Sequence, residues 1–224
     1  MPVILFDIDG TLIRSGGAGK YAMEAAMKNA FGLTKVRDNV PYSGRTDQAI
    51  GGDLLRENGI DVTDATMKAL RAAYLDALPR SLVEQGGNVC LGIPEILREL
   101  APRPDVLLGL ITGNVREGAR IKLTHFALWD TFALGGYGDI HTDRNDVARD
   151  ALRQVHEHLG RRVPLEEVWV IGDTPLDVQC ARAIGARAVA VATGWHAIEE
   201  LHATDADHVM ADFADPAELL RVLL

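Results

Sequence analysis

The sequence predicts an α/β fold, a doubly wound parallel sheet with an α-helical segment inserted near its start. Short, continuous apolar runs alternate with helical stretches over most of the chain. Residues of about 14–89 interrupt this alternation and show helical periodicity only. The length of 224 residues suits one large domain or two small ones, and 47% hydrophobic with 25% charged residues is ordinary globular composition.

Four apolar runs are predicted as buried strands, because strands covered on both faces lack polar alternation. They span about 2–6, 106–111, 168–171 and 187–191. Helices are predicted between them at about 94–101, 115–125, 145–159 and 176–184. Each strand stops at a short cluster of polar residues or glycines, and ligands of parallel sheets bind outside the carboxyl ends of the strands.

Residues of about 14–89 are predicted to form a helical insert on two hinges, with 1–13 and 90–224 as the core. Thr46 and Thr63 can cap helices there, and glycine-containing joints flank the block on both sides. The alternative is that these helices simply cover the sheet, but the block exceeds the length of one crossover connection.

Charge and composition exclude several classes of protein. A formal net charge of −9 would repel a phosphate backbone, so no nucleic-acid partner is expected. A small anionic substrate stays possible if local cations or a metal gather it. No basic leader and no apolar run of about 20 residues is present, so no membrane association is expected. The two cysteines indicate a reducing, cytoplasmic setting, and a monomer and a homodimer both stay open.

Two carboxylates follow the first strand. Asp7 and Asp9 lie on the same side of an extended segment, and their repulsion is relieved by a divalent cation or by a shared proton. One could attack a substrate while the other moves a proton. The alternative is an Asx turn at a strand end, which Asp-Gly often forms.

Polar residues also follow two later strands. Asp173 and Asp177 could complete an oxygen-only site of the kind that Mg²⁺ prefers, although Asp173 or Thr174 could instead cap a helix. Thr112 offers a hydroxyl, and Gly113 and Asn114 offer backbone N–H groups that can hold a phosphate at a helix start. Each cluster alone suits a cap, but three clusters at one sheet edge point to a site.

These three motifs resemble those of the haloacid dehalogenase (HAD) superfamily in its phosphatase form. Asp7-Ile8-Asp9-Gly10-Thr11-Leu12 resembles the first motif, Leu110-Ile111-Thr112-Gly113-Asn114 the second, and Gly172-Asp173-Thr174-Pro175-Leu176-Asp177 the fourth. The resemblance covers the whole chain and implies a Rossmann-like core, with residues of about 14–89 at the place of a helical first-type cap.

The resemblance implies a role for each carboxylate. Asp7 would be the nucleophile that takes the phosphoryl group. Asp9 would protonate the leaving oxygen and then activate water. The Asp7 side chain, the Asp9 backbone carbonyl and Asp173 would hold Mg²⁺, with Asp177 direct or through water.

The remaining site residues come from the resemblance and from local pattern. Thr112, Gly113 and Asn114 would bind phosphoryl oxygens. The family usually has a lysine in its third motif; residues 141–146 contain none, so Arg144 is the candidate for that cation and His141 a weaker one. Arg45, just before a helix start, is the candidate substrate-binding residue of the cap; the alternative is a solvated arginine.

The implied activity is Mg²⁺-dependent hydrolysis of a small phosphate monoester through an aspartyl-phosphate, with phosphoglycolate-like metabolites as the nearest substrate class. A dehalogenase of the same fold needs neither metal nor second acid, which Asp9, Asp173 and Asp177 argue against. A phosphomutase would need its cap to hold a bisphosphorylated intermediate. A non-catalytic regulatory or binding protein is a third alternative; in receiver domains the phosphoacceptor ends the third strand, whereas Asp7 ends the first.

Overall fold

The computed structural model describes the whole chain, Met1–Leu224, and contains eight strands. The strands are β1 Val3–Phe6, β2 Ile13–Arg14, β3 Asn88–Val89, β4 Leu107–Ile111, β5 Leu134–Gly136, β6 Val168–Gly172, β7 Arg187–Val191 and β8 His208–Met210. Six of them form one parallel sheet in the order β5-β4-β1-β6-β7-β8. The first strand therefore lies in the middle, between β4 and β6.

Nine α-helices connect and cover these strands. They are α1 Ala18–Phe31, α2 Asp47–Glu57, α3 Asp64–Gln85, α4 Ile93–Leu100, α5 Arg116–His125, α6 Arg144–Leu159, α7 Pro175–Ala183, α8 Ile198–His202 and α9 Pro216–Leu223. Proline in the first turn of α4, α7 and α9 fits a position whose N–H has no helical partner. No helix combines the length and the apolar character that crossing a membrane requires.

Both faces of the sheet are buried, which confirms the predicted doubly wound fold. Along β1, Ile4 and Phe6 pack on one face with residues of α4, α5 and α9. Val3 and Leu5 pack on the other face with residues of α6, α7 and α8. The four predicted strands and the four predicted helices of this part of the chain are all present, with ends that agree to within one or two residues.

Residues 14–89 contain α1, α2 and α3 and are called the helical insert below. The three helices share one apolar cluster, which includes Tyr74 of α3. Val115, the residue just before α5, also packs in this cluster. Thr46 and Thr63 cap α2 and α3 as predicted. The sequence predicted no strand here, but the ends of the insert form the antiparallel pair β2–β3, only two residues long on each side.

The strands β5 and β8 and the helices α8 and α9 were not predicted. Both strands have three residues, and two of the three in β5 are glycines. Such short segments carry too little apolar periodicity to be recognised. They lie at the two edges of the sheet, away from its centre.

Candidate active site

The predicted site residues of three strands meet at the carboxyl edge of the sheet. Asp7 directly follows β1, and its N–H donates to the Ile171 carbonyl of β6 at 2.9 Å. Thr112 follows β4, and Asp173 follows β6. Since β1 lies where the chain turns from one side of the sheet to the other, this edge is the usual ligand position in such folds.

A tight turn after β1 sets the position of Asp9. The N–H groups of Leu12 and Ile13 both donate to the Ile8 carbonyl, at 2.9 and 3.0 Å. Gly10 has a φ of 90°, and a Cβ atom there would lie 2.4 Å from Oδ2 of Asp173. Only glycine combines this backbone conformation with so close an approach of the acidic side chain.

Three buried carboxylates form one acidic cluster. Asp7, Asp173 and Asp177 each offer an oxygen atom, and these atoms all lie within 4.8 Å of one another. Burial, and then repulsion from Asp177, raise the pKa of Asp7 and of Asp173 above the usual range, although Arg144 opposes the shift. An excess of buried negative charge with oxygen-only donors fits a hard divalent cation such as Mg²⁺.

Arg144, the first residue of α6, lies inside this cluster. Its guanidinium donates to Oδ1 of Asp7 at 2.7 Å and to Oδ1 of Asp177 at 2.5 Å, and its side chain is 7% exposed. Burial alone would lower the pKa of Arg144, but the two carboxylates raise it above the usual value. The other candidate, His141, pairs with Asp150 outside the cluster.

Asp177 has a structural role as well as a place in the cluster. Its Oδ2 accepts from the Thr174 N–H at 3.0 Å and from the Thr174 hydroxyl at 2.8 Å. In return Oγ1 of Thr174 accepts from the Asp177 N–H at 3.3 Å, which completes a capping box at the start of α7. A Cβ atom at Gly172 would lie 2.1 Å from Cγ of Asp177. The helix-capping alternative is therefore correct for Thr174, which is the N-cap, and Asp177 completes the capping box. This role is compatible with the acidic cluster because Oδ1 of Asp177 faces Arg144.

Asp9 belongs to a second polar network. Its Oδ2 accepts from Nζ of Lys122 at 2.6 Å and from Nδ2 of Asn114 at 2.8 Å, and its Oδ1 accepts from the Ser15 hydroxyl at 3.3 Å. Burial would raise the pKa of Asp9, but the Lys122 ammonium and these hydrogen bonds lower it below the usual value. The side chain of Asp9 keeps 39% of its surface exposed, so it is open to the site.

The loop after β4 is ordered by its own side chains and by the helical insert. Oγ1 of Thr112 accepts from Nδ2 of Asn114 at 2.8 Å. The Gly113 carbonyl accepts from the Asp47 N–H at 2.7 Å, and the Asp47 carboxylate accepts from the Val115 N–H at 2.9 Å. The first residue of α2 thus contacts both sides of the predicted phosphate-binding loop.

Comparison with known families matches residues 4–182 to the haloacid dehalogenase-like hydrolases. The chain belongs to this family. The phosphoglycolate phosphatase of Pectobacterium atrosepticum is 27% identical over 97% of this chain and 91% of that protein. The enzyme of the same name from Yersinia pseudotuberculosis is 25% identical over 95% and 90%. These relatives confirm the predicted type of enzyme, a phosphoric monoester hydrolase of the HAD family.

Solved structures of the family share the fold of this hydrolase. A hydrolase from Pseudomonas syringae aligns with a TM-score of 0.72 at 23% identity, over 100% of this chain and 99% of that one. CbbY from Rhodobacter sphaeroides, solved with phosphate, aligns with a TM-score of 0.76 at 21% identity, over 96% of each chain.

Arg45 lies at the edge of the site rather than in the acidic cluster. Its guanidinium donates to Oδ2 of Asp53 at 2.7 Å and to the Pro41 carbonyl at 3.1 Å. Its backbone carbonyl lies against Gly113, where a Cβ atom would come within 2.1 Å of it. The side chain is 25% exposed. A substrate would therefore have to compete with Asp53 for this guanidinium.

Lys122 was not among the predicted site residues. Asp47 was also absent from them. Lys122 lies on α5, eight residues after Asn114, and about two helical turns separate it from the start of that helix, so its spacing was the one available signal. Nothing in the local sequence showed that Asp9 would be its partner.

Asp47 gives the hydrolase a pH-dependent stability that can be measured. Burial raises the pKa of Asp47 to about 6, with Lys122 and the Val115 N–H opposing the shift. The folded state then holds this proton more tightly than the unfolded state, so the contribution of Asp47 falls as pH rises from about 4 to 6. Asp47→Asn lacks this loss and its side-chain oxygen can still accept from Val115.

We therefore expect the Tm of Asp47→Asn, relative to the wild type, to rise by roughly 2–8 °C between pH 4 and pH 7. Differential scanning fluorimetry at each pH unit measures it. Asp64→Asn, an exposed aspartate in the first turn of α3, is the control and should show no such trend. A Tm difference for Asp47→Asn that does not change with pH would contradict the assignment.

Proposed function

We propose that this chain is a Mg²⁺-dependent phosphatase that hydrolyses a small phosphate monoester through an aspartyl-phosphate on Asp7. One observation carries the proposal: Asp7 and Asp9 leave the same strand end but belong to separate networks. Asp7 lies with Asp173, Asp177 and Arg144. Asp9 lies with Lys122 and Asn114. Two carboxylates in different surroundings suit two different tasks.

In the first step, a carboxylate oxygen of Asp7 attacks phosphorus. The Asp7–phosphorus bond forms as the ester P–O bond breaks, and Asp9 gives its proton to the leaving oxygen. In the second step, a water oxygen attacks phosphorus and passes a proton to Asp9. The bond between phosphorus and Asp7 breaks, inorganic phosphate leaves, and both aspartates return to their starting states.

The transferring group carries negative charge, so positive charge and hydrogen-bond donors must face it. Arg144 keeps Asp7 oriented and offsets its charge. Thr112 and the backbone N–H groups of Gly113 and Asn114 would bind phosphoryl oxygens at the start of α5.

A metal would be held by Asp7, Asp173 and the Asp9 backbone carbonyl, with Asp177 direct or through water. When bound, Mg²⁺ supplies positive charge that reduces repulsion between the carboxylates and the phosphoryl oxygens. The fit rests on the three buried carboxylates, whose negative charge the single guanidinium of Arg144 does not balance.

We assign the helical insert, residues 14–89, as a cap domain on a core of residues 1–13 and 90–224. Its separate apolar cluster supports this division, and the two Asp47 hydrogen bonds give it a contact with the phosphate-binding loop. A cap at this position excludes water and contacts the part of the substrate that differs between metabolites.

A small phosphorylated metabolite of the phosphoglycolate type is the proposed substrate. The relatives carry that name, and CbbY has been solved with xylulose-1,5-bisphosphate, a phosphorylated sugar. The cytoplasmic location and the choice between monomer and homodimer stay predictions.

The test is phosphate release from a panel of phosphorylated metabolites, with p-nitrophenyl phosphate as a general substrate. We expect turnover with Mg²⁺, its loss in excess EDTA and its recovery when Mg²⁺ is added back. Haloacids belong in the same panel as the dehalogenase control, and halide release without phosphate release would contradict the proposal. Phosphatase activity that EDTA leaves unchanged would contradict the metal.

Arg45→Ala tests whether the cap recognises the substrate. In this proposal the Arg45 guanidinium releases Asp53 and binds a second anionic group of the substrate. The variant should then raise KM for the best anionic substrate by about 10–100-fold, the range for a hydrogen bond to a charged group. KM for p-nitrophenyl phosphate, which has no second anion, should change little. Steady-state kinetics on both substrates measure it.

Arg56→Ala is a matched control, because Arg56 pairs with the other oxygen of Asp53 but is 64% exposed. It should leave both KM values unchanged. Equal effects of Arg45→Ala on the two substrates would show that Arg45 does not recognise the second anionic group.

A further inference from the structure

Lys122 has no role among the motifs that identify the family, yet its ammonium is one of the most buried charges in the protein. Its side chain is 5% exposed. Nζ donates to Oδ2 of Asp9 at 2.6 Å and to Oδ1 of Asn114 at 2.7 Å. Removing one partner of a buried ion pair leaves an unpaired charge, so Lys122 and Asp9 depend on each other.

The three side chains form a closed ring of hydrogen bonds. Asn114 accepts from Lys122 through Oδ1 and donates to Asp9 through Nδ2 at 2.8 Å. Because an ammonium can only donate and a carboxylate can only accept, the ring allows one orientation of the Asn114 amide. Thr112 accepts the second bond from the same Nδ2, which joins the ring to the predicted phosphate-binding loop.

The ring treats the two oxygens of Asp9 differently. Oδ2 accepts two short bonds, from Lys122 and Asn114. Oδ1 accepts only from the Ser15 hydroxyl, at 3.3 Å. One oxygen is therefore fixed, and the other stays available for proton exchange with a leaving group or a water molecule.

The helical insert completes the burial of Lys122. A Cβ atom at Gly19 of α1 would lie 3.3 Å from Nζ, so the backbone of α1 passes directly over the ammonium. The absence of a side chain at this position leaves room for the charge.

We infer that Lys122 is a positioning residue for the acid and base Asp9: with Asn114 it fixes Oδ2, so that Oδ1 faces the reacting group. The inference rests on the proposed phosphatase function. It predicts a specific defect. Phosphoryl transfer to Asp7 from an ester with a poor leaving group needs the Asp9 proton, whereas transfer from p-nitrophenyl phosphate barely needs it. Hydrolysis of the aspartyl-phosphate needs Asp9 as base for every substrate.

The test is Lys122→Met, which keeps an unbranched side chain, one atom shorter, and removes the charge. For an alkyl phosphate, kcat should fall by about 30–300-fold with KM changed less than about 3-fold, in keeping with lost general acid–base catalysis. With p-nitrophenyl phosphate, rapid mixing should show a burst of about one nitrophenol per enzyme followed by slow turnover. A merely structural defect would not produce that burst.

Arg120→Met is the matched control, since it removes a cation of the same helix whose partner, Glu117, is on the surface. It should behave as the wild type. Lys122→Gln provides a second neutral variant if Lys122→Met does not fold, and circular dichroism with Tm checks folding of each.

The outcomes separate the two proposals. A wild type inactive on every phosphate monoester would overturn the proposed function and this inference with it. An active wild type with unchanged kinetics in Lys122→Met would overturn the inference alone. A rise in KM without loss of kcat, or an equal loss of kcat on both substrates without a burst, would overturn it as well.

Discussion

Asp7→Asn is expected to abolish turnover, by about 10⁴-fold or more, while leaving the protein folded. An amide oxygen is too weak a nucleophile to displace the leaving group, so no phosphoryl transfer begins. The fold should survive because the amide oxygen can still accept the hydrogen bond that Arg144 gives to Oδ1, 2.7 Å away. Arg144 also keeps a charged partner in Asp177, so its guanidinium is not left unpaired in this variant.

Two measurements check this expectation. Phosphate release gives the loss of turnover, and mass spectrometry of the acid-quenched wild type should find phosphate attached to Asp7. Asp105→Asn is the control, because Asp105 also pairs with an arginine, Arg103, but at the surface. Retained turnover in folded Asp7→Asn would remove Asp7 from the role of nucleophile.

Arg144→Ala is expected to affect both activity and stability. The variant leaves the carboxylates of Asp7 and Asp177 without the guanidinium that bonds both. Breaking a buried ion pair in this way costs about 3–5 kcal/mol of the free energy of unfolding. Activity should fall by at least about 100-fold, because Asp7 loses its orientation and its repulsion from the substrate phosphate is no longer offset.

Arg144→Lys should retain part of the activity. A lysine brings the charge, and one nitrogen can contact both carboxylates as Nη2 of Arg144 does. Its flexible stem and point charge do not hold that nitrogen as the planar guanidinium does. Phosphatase kinetics and urea unfolding measure the two effects. Arg149→Ala, which removes an exposed arginine of the same helix, should match the wild type. Near-normal kinetics in Arg144→Ala would show that Arg144 does not serve as the third-motif cation.

The centre of the fold could be predicted because its strands are continuous apolar runs. Once β1, β4 and β6 are recognised as parallel, Asp7, Thr112 and Asp173 must emerge at one edge. The short strands β5 and β8 could not be found, because three residues carry no clear periodicity. Their absence from the prediction did not affect the site, which lies at the middle of the sheet.

The sequence does not show which site residues bond to each other, because those pairs are set by three-dimensional contacts. Arg144 was predicted from the resemblance, as the cation in place of the usual third-motif lysine, and its two carboxylate partners were found only in the structure. The pairing of Lys122 with Asp9 joins residues more than one hundred positions apart. The contacts of Asp47 with Gly113 and Val115 depend on how the insert docks, which no local pattern specifies.

The strand pair β2–β3 has an evolutionary consequence. Ile13 faces Val89 and Arg14 faces Asn88, so the polypeptide leaves the core and returns to it at adjacent points. Recombination could therefore exchange everything between these points for another folded segment without stretching the chain. The hydrolytic residues, encoded on either side of that junction, would stay in place. Selection could thus alter which metabolite is accepted while the reaction itself is inherited unchanged.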